Sequence, residues 1–523
     1  MCKIWKRLFL LEGILVLAFL TGCKNNNSKE NINSVEYEGG FVSMEEEPVI
    51  DYSVPRSTPH ILVDQHGYLK DSTKYIFFFG EEIPNEFSVV NASTGEVVMT
   101  GVPIDRGNGK ESKIRIAMGD ISELSTDGEY FVRADLLGES FHFLISDDLY
   151  GNLFKEAQKT YYYNRCGMTL TEDYAQNMAH NACHVGESVL REDITATVDV
   201  TGGWHQDSSG SKDVASAAQT MAAMLMSYEI FPEVFSDDVG IPESGNGIPD
   251  ILDECRYETE WLLKMQNKST GAVYSAVSVV EGQDGTVSYV EQATEDSTLA
   301  FAYILAKFSF LYQNYDLEFA TNCLKASDRA WRYSVLNEQE ENGENDWKVA
   351  AAAEIYRASG IKDCGDFVNN YWMSHNVINP ENRIIFLAEV TYINTKQPVE
   401  TAYCERITKA IMKRAEEISD LSRNSSLLVP SNDEQSNNNE LLDNMIVMTV
   451  VDYIISNHEY DTIIQNYLHF FLGRNKQSIT YLDNVGSFSY KEIQDSLGLM
   501  KQFDQDSKLI FMLSKILGDG YAY

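Results

Sequence analysis

Basic residues are scarce in this sequence. Its 523 residues carry 41 Lys and Arg against 79 Asp and Glu, a net charge of -38. Such a surface repels phosphate backbones, so nucleic acid is excluded as a partner, while neutral ligands such as glycans are not penalised. The apolar stretch near the start, Leu8 to Leu20 broken by Glu12 and Gly13, is too short for a transmembrane helix. No fixed-length repeat is visible, which disfavours a solenoid. The eight cysteines (Cys2, Cys23, Cys166, Cys183, Cys255, Cys323, Cys364 and Cys404) are scattered rather than crowded. That spread excludes a disulfide scaffold, and Cys255, Cys323 and Cys364, in helical patterns, read as buried thiols.

What is present begins with a leader. Lys3, Lys6 and Arg7 precede the apolar stretch, and Thr21, Gly22 and Cys23 end it. Small residues before a cysteine are similar to a bacterial lipobox, in which Cys23 is lipidated and becomes the mature N-terminus. Residues 1–23 are therefore expected to be a lipoprotein signal peptide. The polar, acidic residues 24–59 are expected to be a flexible tether. The chain is then held on the extracellular face of a bacterial membrane through a lipid anchor only.

Residues 60–147 carry seven short apolar or alternating runs, among them 75–79, 87–90 and 130–132, separated by turn residues such as Gly67, Gly95 and Gly107. That pattern predicts an immunoglobulin-like β-sandwich. Residues 148–523 change to a helical period. Phe301, Ile304, Leu305, Phe308 and Leu311 follow i, i+3, i+4 spacing, as do Leu442, Met445, Ile446 and Thr449. About a dozen such segments with few strand candidates predict an all-α domain, its last helix starting near Asp506 and Ser507.

The densest signals lie in residues 199–266. Gly202 and Gly203 before Trp204 predict a tight turn that leaves the indole free to face a cleft, so Trp204 is the candidate substrate-binding residue. With the run Ile61-Leu-Val-Asp-Gln-His-Gly-Tyr68, the run Pro242-Glu-Ser-Gly-Asn-Gly-Ile-Pro-Asp-Ile-Leu-Asp-Glu254, and Gly473-Arg-Asn475, the chain resembles glycoside hydrolase family 9. The resemblance is to the endoglucanase-type branch with an N-terminal immunoglobulin-like domain. It implies an (α/α)6 barrel with an open cleft, and cellulase-type, inverting hydrolysis of β-1,4-glucan in polysaccharide degradation. The implied partner is a β-glucan or a related plant polysaccharide.

Cys166, Cys183, His184 and His205 form the pattern C-x16-C-H-x20-H. Two thiolates and two imidazoles suit tetrahedral zinc, and four protein ligands leave no open position, so the ion is expected to be structural. It is expected to staple the loop leading into the barrel to the sandwich side. Calcium is common in the family, but no ligand loop for it stands out here.

Inverting hydrolysis needs one carboxyl to protonate the leaving oxygen and another to activate water, about 6.5–9.5 Å apart. The resemblance places two aspartates in a Gly-Gly-Trp-x-Asp-Ala-Gly-Asp motif. Gln206 and Ser209 stand at those positions. Neither accepts a proton usefully near neutral pH. Asp207 lies between them, and Asp213 opens the next helix, where it can also serve as a cap. The family's acid is a glutamate shortly before the last helix, and Leu499 and Met500 align there. Glu492 is the best nearby replacement. Asp207, Asp213 and Glu492 are thus the candidate catalytic carboxylates. Two functions remain open: a hydrolase with displaced carboxylates, or a glycan-binding or scaffold lipoprotein on the same fold.

Overall fold

The computed structural model describes residues 59–520, except 109–113, 283–284, 338–344, 376–377, 431–437, 484, 487–498 and 501–502. The leader, Cys23, the tether to residue 58 and Glu492 lie outside the described residues.

The β part holds ten strands: β1 (Ile61–Leu62), β2 (Gly67–Tyr68), β3 (Tyr75–Gly80), β4 (Phe87–Asn91), β5 (Val97–Gly101), β6 (Ile104–Asn108), β7 (Arg115–Asp120), β8 (Gly128–Ala134), β9 (Gly138–Glu139) and β10 (Phe143–Ile145). One sheet runs β1-β3-β7-β6; the other runs β2-β10-β8-β4-β5, with β9 on β8. Seven strands were expected. The extra three are two pairs of residues too short to show a period and the polar strand β6. Alternation along β3 explains its unbroken apolar run. Ile76 and Phe78 face the inter-sheet core, whereas Phe77 packs with Leu62, Ile116 and Leu427, the last from the helical part. This sheet is buried on both faces.

Among the described residues twelve helices of at least eleven residues follow: α1 (Gly151–Tyr163), α2 (Val214–Ile230), α3 (Asp250–Met265), α4 (Glu295–Tyr312), α5 (Leu317–Leu336), α6 (Asp346–Ser359), α7 (Lys362–Ser374), α8 (Arg383–Asn394), α9 (Thr401–Asn424), α10 (Asn438–Ile455), α11 (Asp461–Phe471) and α12 (Phe503–Gly520). They alternate outer and inner. Inner α4 is buried without a break from Ser297 to Ser309, while outer α9 buries a single stripe through Ile407, Ile411, Ala415 and Ile418. The last helix starts at Phe503, three residues before the expected Asp506. Asp506 instead turns inward, and its Oδ1 accepts the backbone N–H groups of Leu499 and Met500 at 3.1 and 3.2 Å. Sequence reading also missed a third sheet, β12-β11-β15-β14-β13, built from β11 (Ser188–Leu190), β12 (Thr197–Val198), β13 (Lys212–Asp213), β14 (Ala276–Gly282) and β15 (Gly285–Val290). Most of its strands are too short to carry a pattern.

Side-chain caps and ties gather the N-termini of the inner helices at one end of the barrel. Asp213, Thr294, Asn345 and Asn382 cap α2, α4, α6 and α8. Asn345 also donates to Asp296 of α4 at 2.6 Å, and Asn382 to Asp346 of α6 at 2.7 Å. Arg383 reaches Asp504 of α12 at 3.4 Å, and Lys508 of α12 pairs with Asp443 of α10 at 2.8 Å. The result is a polar rim facing one way.

The sandwich docks on the barrel through a buried polar joint. Asp64 Oδ1 accepts the His66 and Gly67 amides at 2.7 and 2.8 Å, and Asp64 Oδ2 meets His469 Nδ1 at 2.7 Å. Gln65 donates its backbone N–H to the Leu472 carbonyl and its amide to that of Ser478, both at 2.8 Å. Arg474 donates to the Tyr75 carbonyl at 3.2 Å. Burial raises the Asp64 carboxyl and lowers the His469 imidazole.

Two outcomes are expected. Asp64→Ala strands His469 and two amides and lowers unfolding stability by about 3–5 kcal/mol, while Asp64→Asn, which keeps the acceptor, costs far less; denaturant midpoints check this. Glu389 of α8 is fully buried, and neither of its oxygens has a well-formed hydrogen bond among the described residues. Burial pushes its carboxyl up to about 8 against a weaker pull from the Asn379 amide. A raised carboxyl contributes stability below its unfolded pKa and loses it as pH rises through the folded one. Glu389→Gln should therefore match the parent in Tm at pH 4 and exceed it increasingly up to pH 9.

Candidate functional site

Arg165, Glu254, Glu258 and Lys212 organise the loops at this end of the barrel. Glu254 and Glu258 project from α3 and are fully buried. Arg165, which follows α1, reaches Glu254 at 2.8 Å and the half-buried Glu243 at 2.9 Å. Trp204 donates its backbone N–H to Glu258 at 2.7 Å and its indole N–H to Glu254 at 3.2 Å. Lys212 is buried and donates to the Gly202 and Val200 carbonyls at 2.6 and 3.1 Å. Burial pushes the Glu258 carboxyl up to about 8, against the nearby Lys212 charge and the Trp204 amide. Sequence reading missed all four charged residues, although Glu254 and Glu258 sit one helical turn apart in the most specific part of the sequence.

This corrects the expectation for Trp204, whose side chain is 0% exposed and packs on Tyr161 and Phe503. The glycine turn is tight as expected, but it folds the indole inward. Gly203 has φ +72°, and a Cβ there would lie 2.7 Å from Cγ of Trp261. The indole N–H has a buried carboxylate to satisfy, which outweighs exposure to a cleft. Trp261, Trp331, Trp347 and Trp372 are also at most 6% exposed, so no barrel tryptophan offers a sugar platform.

The ligand atoms of Cys166, Cys183, His184 and His205 all lie within 4.8 Å of one another. Cys166 Sγ is 3.6 Å from His184 Nδ1, and Cys183 Sγ is 3.4 Å from His205 Nε2. Tetrahedral zinc with bonds of about 2.0–2.3 Å sets its ligand atoms about 3.6 Å apart, so the set fits a metal ion without rebuilding. His184 takes a left-handed backbone, φ +47°, and its ring covers Gly210, where a Cβ would sit 2.5 Å from Cε1. The loops are also tied by the Cys166 amide to the Gly203 carbonyl at 2.7 Å, Gly167 to Cys183 at 3.1 Å, and His205 to Asn164 at 2.8 Å. All four ligands and these partners belong to the helical part. The cluster therefore fastens three barrel loops to one another, and the expected staple to the sandwich is corrected; the joint at Asp64 and His469 does that work.

Beside the cluster stand the candidate catalytic positions. Gln206 donates its amide to the Asp213 carbonyl at 2.9 Å and accepts the Asp213 N–H at 3.0 Å. Asp213 caps α2, accepting the Ser216 N–H at 2.8 Å. Asp207 is exposed, and its Oδ1 accepts the Ser209 amide, the Ser209 hydroxyl and the Ser211 amide at 2.9, 2.6 and 3.0 Å. Partial burial pulls its pKa up, but these bonds outweigh it and hold the carboxyl below the usual range. Met500 is buried, 1% exposed, with its amide bound by Asp506. The structure thus brings Gln206, Asp207, Ser209 and Asp213 together; Glu492 lies outside the described residues. As arranged, Asp207 is an ionised turn-former and Asp213 a cap.

Two family models match. Residues 150–507 match the glycosyl hydrolase family 9 model, and residues 56–139 match the cellulase N-terminal ig-like domain. A cellodextrinase of Butyrivibrio fibrisolvens is 25% identical over 474 residues, covering 82% of this chain and 86% of that protein. A metagenome-derived family 9 endoglucanase superposes with a TM-score of 0.76 at 23% identity, covering 87% of this chain and 98% of the other. A zinc-binding triple mutant of the family 9 endoglucanase J30 superposes with a TM-score of 0.75 at 20% identity, covering 86% and 99%. These two likenesses show the fold, an immunoglobulin-like domain on an (α/α)6 barrel. The match over most of the helical part places the chain in glycosyl hydrolase family 9, whose members act on β-1,4-glucans.

Proposed function

We propose that this chain is a glycan-binding family 9 protein that holds β-1,4-linked glucan at the polar rim of the barrel and does not cleave it by inversion. The observation that carries the reading is the state of the four residues beside Trp204. Gln206 is clamped on the Asp213 main chain, Ser209 donates to Asp207, Asp207 closes a turn, and Asp213 caps a helix. At the acid's position Met500 is buried. Among the described residues no proton donor and water activator stand opposed there, and inversion needs both. The rim still presents what a neutral sugar chain asks for: Asp296, Asn345, Asp346, Asn382 and Arg383 at the N-termini of inner helices.

In the same reading, Cys166, Cys183, His184 and His205 hold one structural zinc, which supplies cross-linking of loops and no chemistry. Cys23 carries a lipid that keeps the protein on the outer face of a bacterial membrane.

Reducing-sugar release from barley β-glucan and carboxymethyl cellulose, measured beside binding to the same polymers, tests the main proposal. Binding without release is the expected result. Release that Asp207→Asn abolishes would assign turnover to a displaced carboxylate instead. Elemental analysis should find one zinc per chain. Cys183→Ser should lose it and lower Tm by roughly 5–10 °C, with the loss reproduced by a strong chelator. Cys23→Ser should move the protein from the membrane fraction to the medium.

A further inference from the structure

The inner ring is not equally tight all round. Neighbours α2 and α4, α4 and α6, α6 and α8, α10 and α12, and α12 and α2 pack directly, whereas α8 and α10 scarcely touch among the described residues. At the end away from the polar rim, this seam opens into a cavity of about 380 Å³. It is walled by the C-terminal ends of α2, α8 and α10 and by the first turns of α9. Asp213 caps the other end of α2, roughly 20 Å along the helix from Met226, the first α2 residue in the cavity wall.

The lining is mostly apolar, with Met226, Ile230, Val390, Ile393 and Val450 forming the wall. Tyr453 and Ile454 stand at the seam 46% and 38% exposed, and Ile455 beside them is 38% exposed. Exposed aliphatic and aromatic side chains grouped at an apolar hollow mark a place where something binds. The volume falls within the range of small-molecule sites, roughly 300–1,000 Å³. Water in such a hollow finds few hydrogen-bond partners and is readily displaced.

The polar part of the wall fixes the charge of the occupant. Glu229 is its one carboxylate. Burial raises the Glu229 pKa, but Lys307 and Arg357 outweigh it and bring the carboxyl down to about 2. Lys307 Nζ lies 2.9 Å from its Oε2, and Arg357 Nη1 and Asn394 Nδ2 donate to its Oε1 at 2.5 and 3.0 Å. Lys307 and Arg357 also engage Glu354 at 3.3 and 2.8 Å. Two cations meet two anions, and no charge is left over. Burial also raises the Cys404 thiol, which stays neutral at physiological pH. The Thr408 hydroxyl is the remaining polar group on the α9 side.

We propose that the seam between α8 and α10 is a binding site for an uncharged, mostly apolar small molecule, separate from the glycan rim. A charged ligand would be desolvated against a wall that has no opposite charge to offer. The site does not depend on whether the rim binds or cleaves glycan.

Cys404 makes the test direct, because its thiol lines the cavity. The full-length protein is treated with N-ethylmaleimide, and modification of the Cys404 peptide is followed by mass spectrometry. The probes are 2-naphthol, uncharged at neutral pH, and 2-naphthoate, an anion on the same ring system. 2-Naphthol should slow modification of Cys404 at least tenfold, and 2-naphthoate by less than twofold. Val450→Phe, which fills the cavity, and Thr408→Trp, at a half-buried surface position of α9, should each abolish the protection by 2-naphthol; the second serves should the first not fold. No protection by 2-naphthol, equal protection by both probes, or protection that survives Thr408→Trp would overturn the proposal.

Discussion

Two carboxylates buried on one helix constrain the rest of the site. Glu254 and Glu258 are taken out of water by α3. A buried carboxylate costs several kcal/mol unless donors surround it. The donors are Arg165 after α1 and Trp204 after the glycine turn, and Lys212 in β13 adds a nearby positive charge. Each of the three is also next to, or against, a residue of the Cys/His cluster. Arg165 precedes Cys166, Trp204 precedes His205, and Lys212 Nζ lies 3.9 Å from Cys166 Sγ. Satisfying the two acids therefore brings the loops to where two thiols and two imidazoles meet. The Cys/His cluster lies on loops that the glutamates already hold.

That order of dependence explains why Trp204 is not at a cleft surface. A glycine pair permits either direction of the indole, and the choice falls to the hydrogen-bond accounts on either side. Outward, the indole N–H would meet water; inward, it meets Glu254, which otherwise lacks that donor. Because Glu254 is buried, the inward choice relieves the larger penalty. The polar rim, by contrast, is assembled from cap residues whose first duty is to the helices. Asn345 and Asn382 satisfy orphan amides with one atom and reach a neighbouring helix with the other. In the proposed reading, the cap side chains that start four helices at one level also line the surface a sugar chain would touch.

Much of this was legible in the sequence, and the parts that were not share a cause. The change of period near residue 148, the helices and the clustering of the Cys/His quartet follow from local patterns of apolar residues and ligand spacing, whereas the closed ring followed from the resemblance to family 9. The strand β6 and the small sheet β11 to β15 carry no period because most of their strands are two to three residues long or polar. The start of α12 was misplaced because Asp506 looks like a cap, yet its carboxyl is buried and ties down the preceding loop. Arg165, Lys212, Glu254 and Glu258 were invisible for a related reason. Charged residues in sequence read as surface, and only the fold shows that they neutralise one another inside. The joint at Asp64 and His469 spans 405 residues of chain, a distance no local pattern reports.

The residues beside Trp204 also fit one another, which bears on what an aspartate at 206 or 209 would do. Gln206 both donates to and accepts from the Asp213 main chain. An aspartate at 206 would keep the acceptor, lose the donor, and point a carboxylate at the Asp213 carbonyl. Ser209 donates its hydroxyl to Asp207, and an aspartate at 209 would set two carboxylates where one hydrogen bond now stands. Asp207 would then have to leave the turn it closes with Ser211. Each single reversal therefore breaks a satisfied contact before it creates a useful one. In the proposed reading, the present hydrogen bonds of this loop are what keep it as a binding surface.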